Sequence, residues 1–264
     1  MAQVQLVEAV KGSVEDSVKD RVSDAEWQMR VDLAAAYRLV AHFGWDDLIF
    51  THISARAPDA PDQFLINPYG MMFDEITASS LVKVDHHGEP VLDTPYDVNP
   101  AGFIIHSAVH EARPEVGCVM HTHTAHGVAV SAQQDGLLPI SQQAMFALTG
   151  LAYHDYEGVA LREDEKARLV ADLGRCKQMI LRNHGLLTCG RTVADAFLTM
   201  YTLESACRIQ ILAQSGGTAL TRVPDAASTN MGQQARQATK GKGSSLAWPG
   251  LLRRLDRIDP DYRN

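Results

Sequence analysis

The sequence predicts an α/β fold, a three-layer α/β/α arrangement with a central mixed sheet. Three observations point there. Short β-like runs lie early in the chain, two apolar strand-like runs later alternate with helical patterns, and long apolar stripes at helical spacing flank both sets. With 264 residues, 45% of them hydrophobic, the chain can bury a substantial core and form one α/β domain with tails.

Residues 1–22 mix Glu, Asp and Lys with short apolar runs. They read as a loose N-terminal arm and lack the continuous apolar segment of a secretory signal. Ser23-Asp24-Ala25-Glu26 has the capping-box pattern, with Ser at the N-cap and Glu three positions on. Val31, Leu33, Ala34, Tyr37, Leu39 and Val40 then recur at helical spacing, which predicts a helix over 24–43 ended by Gly44. Leu48-Ile49-Phe50, Phe64-Leu65-Ile66 and Leu81-Val82-Lys83-Val84 are β-like runs separated by Pro, Gly and Asp turns.

Pro100 opens a helix over 100–112, and Val116-Gly117-Cys118-Val119-Met120 forms a buried strand running straight into His121. An acidic start predicts a helix over 162–173, followed by a second buried strand at Met179-Ile180-Leu181. Thr192-Val193-Ala194-Asp195 opens a long helix reaching residue 214. Residues 215–245, rich in Gly, Ser, Thr, Gln and Ala, read as a flexible linker. Trp248, Leu251, Leu252, Leu255 and Ile258 then give a short amphipathic helix that should dock on the domain. The expected organisation is an arm (1–22), one domain (23–215), and a linker with a docking helix (216–264).

A net charge of −8 offers no general attraction to nucleic acid or to anionic membranes. No stretch approaches the roughly 20 apolar residues that span a bilayer. Cys118, Cys176, Cys189 and Cys207 are widely spaced and form no CxxC, which reads as free thiols in a reducing cytoplasm. Neither GxGxxG nor GxxxxGK[ST] is present, so dinucleotide and P-loop readings lack their backbone cradle.

The chain has 11 histidines, and their placement says more than their number. His121 and His123 sit two apart at the end of an apolar strand, which puts both imidazoles on one face and turns Thr122 away. His184 follows the second apolar strand, and Gly185 permits a sharp turn after it. If the two strands are neighbours, the three rings converge as ligands for one divalent metal, leaving a coordination position open for chemistry. The competing reading of His-x-His is an ordinary polar strand end. His106 and His110, four apart, share a helical face but lack the Glu of the zinc-protease pattern, and are expected to line or support a cleft. His42, His86 and His87 read as helix-end or loop residues, and His126 as a group behind the ligand pair.

At these residues the sequence resembles the class II aldolase and adducin head family, closest in wording to its adducin-like bacterial branch. The likeness covers roughly residues 25–215 and rests on specific segments. These are Asn99-Pro100-Ala101-Gly102-Phe103 leading to His106, Ala112-Arg113-Pro114 and Val119-Met120-His121-Thr122-His123, Gly136-Leu137-Leu138-Pro139-Ile140-Ser141, Tyr153-His154-Asp155-Tyr156, and Leu181-Arg182-Asn183-His184-Gly185. Thr77–Lys83 and Phe64–Gly70 extend it toward the N-terminus.

The resemblance implies an α/β/α fold, a cyclic homotetramer with sites at subunit interfaces, and a divalent metal on His121, His123 and His184. Zinc is expected first, with manganese or iron as alternatives. The metal would act as a Lewis acid that stabilises an enediolate. Positions matching the family's substrate-binding segments are His52, Ser54, Asn67, Gly70 and Gly102, and His154 and Tyr156 fall near its catalytic tyrosine. Tyr262 is expected to pack, with reach into a neighbouring site as the alternative.

Two departures refine the expectation. The family's sugar-phosphate aldolases carry Ser-Ser-Glu where this chain has Pro100-Ala101-Gly102, and a glycine cannot move a proton. Their phosphate loop ends in Gly-Asn-Val-Ser, here Thr51-His52-Ile53-Ser54. The expected function is therefore a metal-dependent lyase, a decarboxylase or aldolase-type enzyme, acting on a small non-phosphorylated carbonyl or carboxylate compound. A non-catalytic binding or assembly module of the adducin-head kind is the alternative. Animal adducins end in a Lys-rich tail, and no such run is present in this sequence.

Overall fold

The computed structural model describes residues 17–158, 163–224 and 230–264. Helix α1 (Asp24–His42) starts where the sequence says, with the Ser23 side chain accepting a hydrogen bond from the Glu26 amide. Only half of the capping box forms. The Glu26 carboxylate turns inward instead, to Arg30 at 3.0 Å and Lys83 at 2.7 Å. Gly44 closes the helix at φ +66°.

The run Leu48-Ile49-Phe50 is not a strand. Leu48 and Thr51 take φ +52° and +70°, and the Phe50 amide donates to the Asp47 carbonyl across a tight turn. Local apolar content suggested a strand, but turn geometry prevails and leaves Leu48 and Phe50 exposed. Strand β1 (His52–Ala57) begins only after that turn.

Seven strands form one sheet in the order β3-β2-β1-β4-β7-β6-β5. The others are β2 (Ala60–Ile66), β3 (Val82–Val84), β4 (Cys118–Thr122), β5 (Leu151–His154), β6 (Gln178–Leu181) and β7 (Gly185–Gly190). All pairs are antiparallel except β5–β6, whose crossover contains the later helix α5 (Glu163–Leu173). The sheet is thus mixed, as expected.

The two apolar strands flanking the histidines are not neighbours, because β7 lies between β4 and β6. Residues 182–184 make a tight hairpin, with Asn183 at φ +55° and Leu181 paired to Gly185. The chain folds straight back, so its return strand occupies the place next to β4.

Strand side chains alternate between two helix layers. Cys118, Met120, Ile180 and Leu186 pack with α1 and with α3 (Ala125–Ser131), α4 (Gln142–Leu148) and α6 (Val193–Ser215). Val119, Met179, Leu181 and Leu187 pack with α2 (Pro100–Ala112) and α5. Burying each large apolar side chain stabilises the fold by about 1.5–3 kcal/mol. His121 shares the face of Val119, while the Thr122 hydroxyl points the other way, to Met200 on α6.

Helix α7 (Met231–Thr239) lies within the stretch read from composition as linker. Helix α8 (Gly243–Ile258) docks on α1 and α6, where the Trp248 indole donates to Asp32 at 3.1 Å and stacks toward Phe197. Leu255 is buried, Leu251 and Leu252 partly so, and Ile258 is exposed. Tyr262 is buried and donates its hydroxyl to Asp256, so it packs within its own chain. The four cysteines are free. Among the described residues no helix is long and apolar enough to cross a membrane.

Candidate metal centre

His121 comes from the last turn of pleat in β4, His123 from the residue beyond that strand, and His184 from the β6–β7 hairpin. One ring nitrogen from each lies within 4.8 Å of the others. The ring centroids of the three pairs are 4.7, 4.8 and 4.9 Å apart.

The outer nitrogens settle the tautomers of two rings. Nδ1 of His121 lies 3.0 Å from the Leu186 carbonyl oxygen, and Nδ1 of His123 lies 2.9 Å from Asp47 Oδ2. Carbonyl and carboxylate oxygens only accept, so each Nδ1 carries the proton and each neutral ring has a lone pair on Nε2. Those two Nε2 atoms face each other at 3.0 Å. Two lone pairs so close repel unless a proton lies between them or a metal ion stands before them. A tetrahedral cation with metal–nitrogen bonds of about 2.0–2.1 Å has ligand–ligand edges of about 3.3 Å, near this spacing. Burial and neighbouring imidazoles hold His121 well below its ordinary pKa and bring His184 down to about 4. The donor set therefore fits one divalent cation.

Strand register brings further groups beside it. His52 pairs directly with His121 across β1 and β4, is buried, and has no hydrogen-bond partner among the described residues on either ring nitrogen. Desolvation, then the nearby His123, lowers it to about 4. Ser54 Oγ bridges His106 Nδ1 at 2.7 Å and His110 Nε2 at 2.8 Å, and His110 stacks on Phe64. The α2 histidines thus support the sheet face through a serine. Asn67 spends its carbonyl oxygen on the Tyr37 hydroxyl inside the core. Gly70 sits in an open turn at φ +100°, and Gly102 lies in the first turn of α2. Among the described residues no contact joins Asn67 or Gly70 to the three histidines.

Tyr156 is 57% exposed and its ring centroid is 6.4 Å from that of His184. His154 ends β5, where it is buried and bonded through Nδ1 to Asp172 at 2.7 Å. Both line a small pocket with Glu157, Glu165, Arg182 and His184. His126 instead turns to Glu204 on α6, 2.9 Å away. The groups behind the ligands are Asp47 and the Leu186 carbonyl. Asp47 escaped the sequence reading because its only signal is an acidic pair, Asp46-Asp47, before a left-handed turn.

Comparison with known proteins gives a consistent picture. A family model described as the class II aldolase and adducin N-terminal domain matches residues 31–211. The crystal structure of an aldolase II superfamily protein from Pseudomonas syringae superposes with a TM-score of 0.89 at 53% identity, covering 94% of this chain and 100% of that one. The L-fuculose 1-phosphate aldolase of Glaciozyma antarctica superposes with a TM-score of 0.79 at 27% identity, covering 96% and 97%. Alpha-adducin of Mus musculus is 42% identical over 245 residues, 87% of this chain and 33% of that protein, so the match spans a third of the adducin.

Proposed function

The chain belongs to the class II aldolase and adducin N-terminal domain family, and from that membership we propose that it is a divalent-metal-dependent lyase for a small carbonyl or carboxylate compound without a phosphate. The observation that carries this reading is the pair of Nε2 lone pairs converging beside a third imidazole. Zinc is the metal of this reading, with manganese and iron the alternatives that imidazole also suits. A cation held there supplies a Lewis acid for negative charge developing on a substrate oxygen.

The protein's own groups shape what such a site can do. Asp47 and the Leu186 carbonyl hold two ligand rings in register. His52, neutral and unpartnered, can donate a hydrogen bond to a substrate oxygen without bringing a charge. Arg182, which lines the small pocket, is committed to the Tyr153 ring and the Gln133 carbonyl. The stretch Thr51-His52-Ile53-Ser54, standing where the family's aldolases carry their phosphate loop, favours a substrate without phosphate. Gly102 offers no side chain for proton transfer, so Tyr156 and His154 are the groups this reading assigns to it. Decarboxylation suits such a site, since loss of CO₂ creates the carbanion without abstraction of a proton. Cytoplasmic placement and a homotetramer belong to the same reading.

The 42% identity to alpha-adducin supports a second reading, a non-catalytic binding or assembly module. Elemental analysis of the purified protein separates the two. The lyase reading expects one equivalent of metal, lost in His121→Ala while circular dichroism still reports a folded chain. Metal content unchanged by that substitution would sink it, and absence of stoichiometric metal would leave the binding module standing.

A further inference from the structure

His154 and Glu165 meet on the α2–α5 side of the sheet, and their hydrogen bonding does not close. His154 is 4% exposed and Glu165 6%. Nδ1 of His154 faces the Asp172 carboxylate at 2.7 Å and therefore carries a proton. On the other side, Nε2 lies 3.6 Å from Glu165 Oε1. Among the described residues neither Nε2 nor Glu165 Oε2 has a hydrogen-bond partner.

A neutral ring beside an ionised Glu165 would set two buried acceptors against each other, each left unsatisfied at a desolvation cost. One added proton removes that conflict. It can sit on Nε2 and be donated to the carboxylate, or sit on the carboxyl and be donated to Nε2. Glu165 also lines the small pocket that contains His184 and Tyr156.

We propose that Glu165 is a proton donor and acceptor for the small pocket that His184 lines, that it shares its proton with His154, and that Asp172 positions the His154 ring. The inference rests on the lyase reading and adds Glu165 to the proton-transfer groups named there. The electron pair of the broken carbon–carbon bond stays on the substrate fragment as a carbanion. The Glu165 O–H bond breaks, one water in the pocket takes that proton and gives one of its own to the carbanion, and a C–H bond forms, leaving His154 neutral and Glu165 ionised. Water entering the pocket returns one proton and leaves as hydroxide, with no change of oxidation state.

Two measurements on the zinc-loaded full chain test this. In the first, ¹⁵N NMR of the histidine rings at pH 7.5 compares the wild type with Glu165→Gln. The shared proton should give His154 a protonated or averaged Nε2, and the substitution should leave Nε2 bare. Identical ring spectra would overturn the proposal. In the second, exchange of the pyruvate methyl protons with D₂O is followed by ¹H NMR. Glu165→Gln should slow kcat by about 100-fold or more with KM and zinc content unchanged, and Asp172→Asn, on a half-exposed side chain, should slow it less while keeping the fold. Equal kcat in wild type and Glu165→Gln would also overturn the proposal. A wild type that binds zinc but does not exchange pyruvate protons excludes pyruvate as a substrate, and the shared proton is then decided by the ring spectra alone.

Discussion

The Asp47 carboxylate stands 2.9 Å from Nδ1 of His123, tying the left-handed turn after α1 to the end of the central strand. Carboxylates behind metal-binding imidazoles fix ring orientation and raise ligand basicity. Asp47→Asn keeps the size of the side chain but loses the charge. We expect metal affinity to fall by about 10–100-fold, read by competition with a chelating dye. Asp47 is 46% exposed, so the melting temperature of the metal-free protein should barely move.

Gly185→Ala should couple stability to metal binding. A Cβ there would collide with the Thr122 carbonyl oxygen and lie 3.2 Å from Cδ2 of His123. Backbone must move, and both the β4–β7 pairing and the ligand geometry move with it. Overpacking of this kind costs about 1–3 kcal/mol. Urea unfolding should report that loss, and calorimetric titration with zinc should report weaker binding in the same variant. Wild-type zinc affinity at reduced stability would separate the two effects and defeat the prediction.

Acid should destabilise the metal-free fold early. Burial lowers His52 to about 4 and His110 to about 3, whereas an unfolded chain takes up protons near 6.5. The folded state binds fewer protons in that interval, so these rings contribute stability that is complete above pH 6.5. It drains as the pH falls toward 4 for His52 and 3 for His110. Each ring adds a slope of up to about 1.4 kcal/mol per pH unit within its window. Unfolding in chelator at pH 7.5 and 5.5 should show a clear loss at the lower pH, and equal stability at both would contradict the assignment.

Trp248→Ala should weaken the fold without touching the metal. The indole is buried between α1 and α6, with its N–H on Asp32 and its ring against Phe197. Removing such a side chain costs about 3–5 kcal/mol. Thermal unfolding of the metal-free variant should shift down while metal stoichiometry stays at the wild-type value.

Patterns with a short physical range were legible in the sequence. The Ser23 cap, the bounds of α2 and the two-residue period of His121 and His123 all depend on neighbours a few positions apart. Strand β7 was not legible: Gly185-Leu186-Leu187-Thr188-Cys189-Gly190 is bracketed by glycines and looks like the tail of a turn. Its identity as a strand comes from pairing with β4, which lies more than sixty residues earlier. Leu48–Phe50 misled for the converse reason, since the left-handed backbone at Leu48 and Thr51 leaves no mark on composition. Helix α7 was hidden by its Gln- and Ala-rich, weakly apolar sequence. Asp47 and Glu165 join the candidate site through tertiary contacts alone.

The ligand set draws on residues 121–123 and 184, stretches brought together by the β4–β7–β6 ladder. Until those strands are in register, no concave donor set exists for a cation to occupy. Metal added during refolding should therefore bind after these distant segments have paired, and the speed of folding should be indifferent to it. Its grip belongs to the finished molecule, so the cation should act as a kinetic latch that lengthens the lifetime of the native state by slowing escape from it.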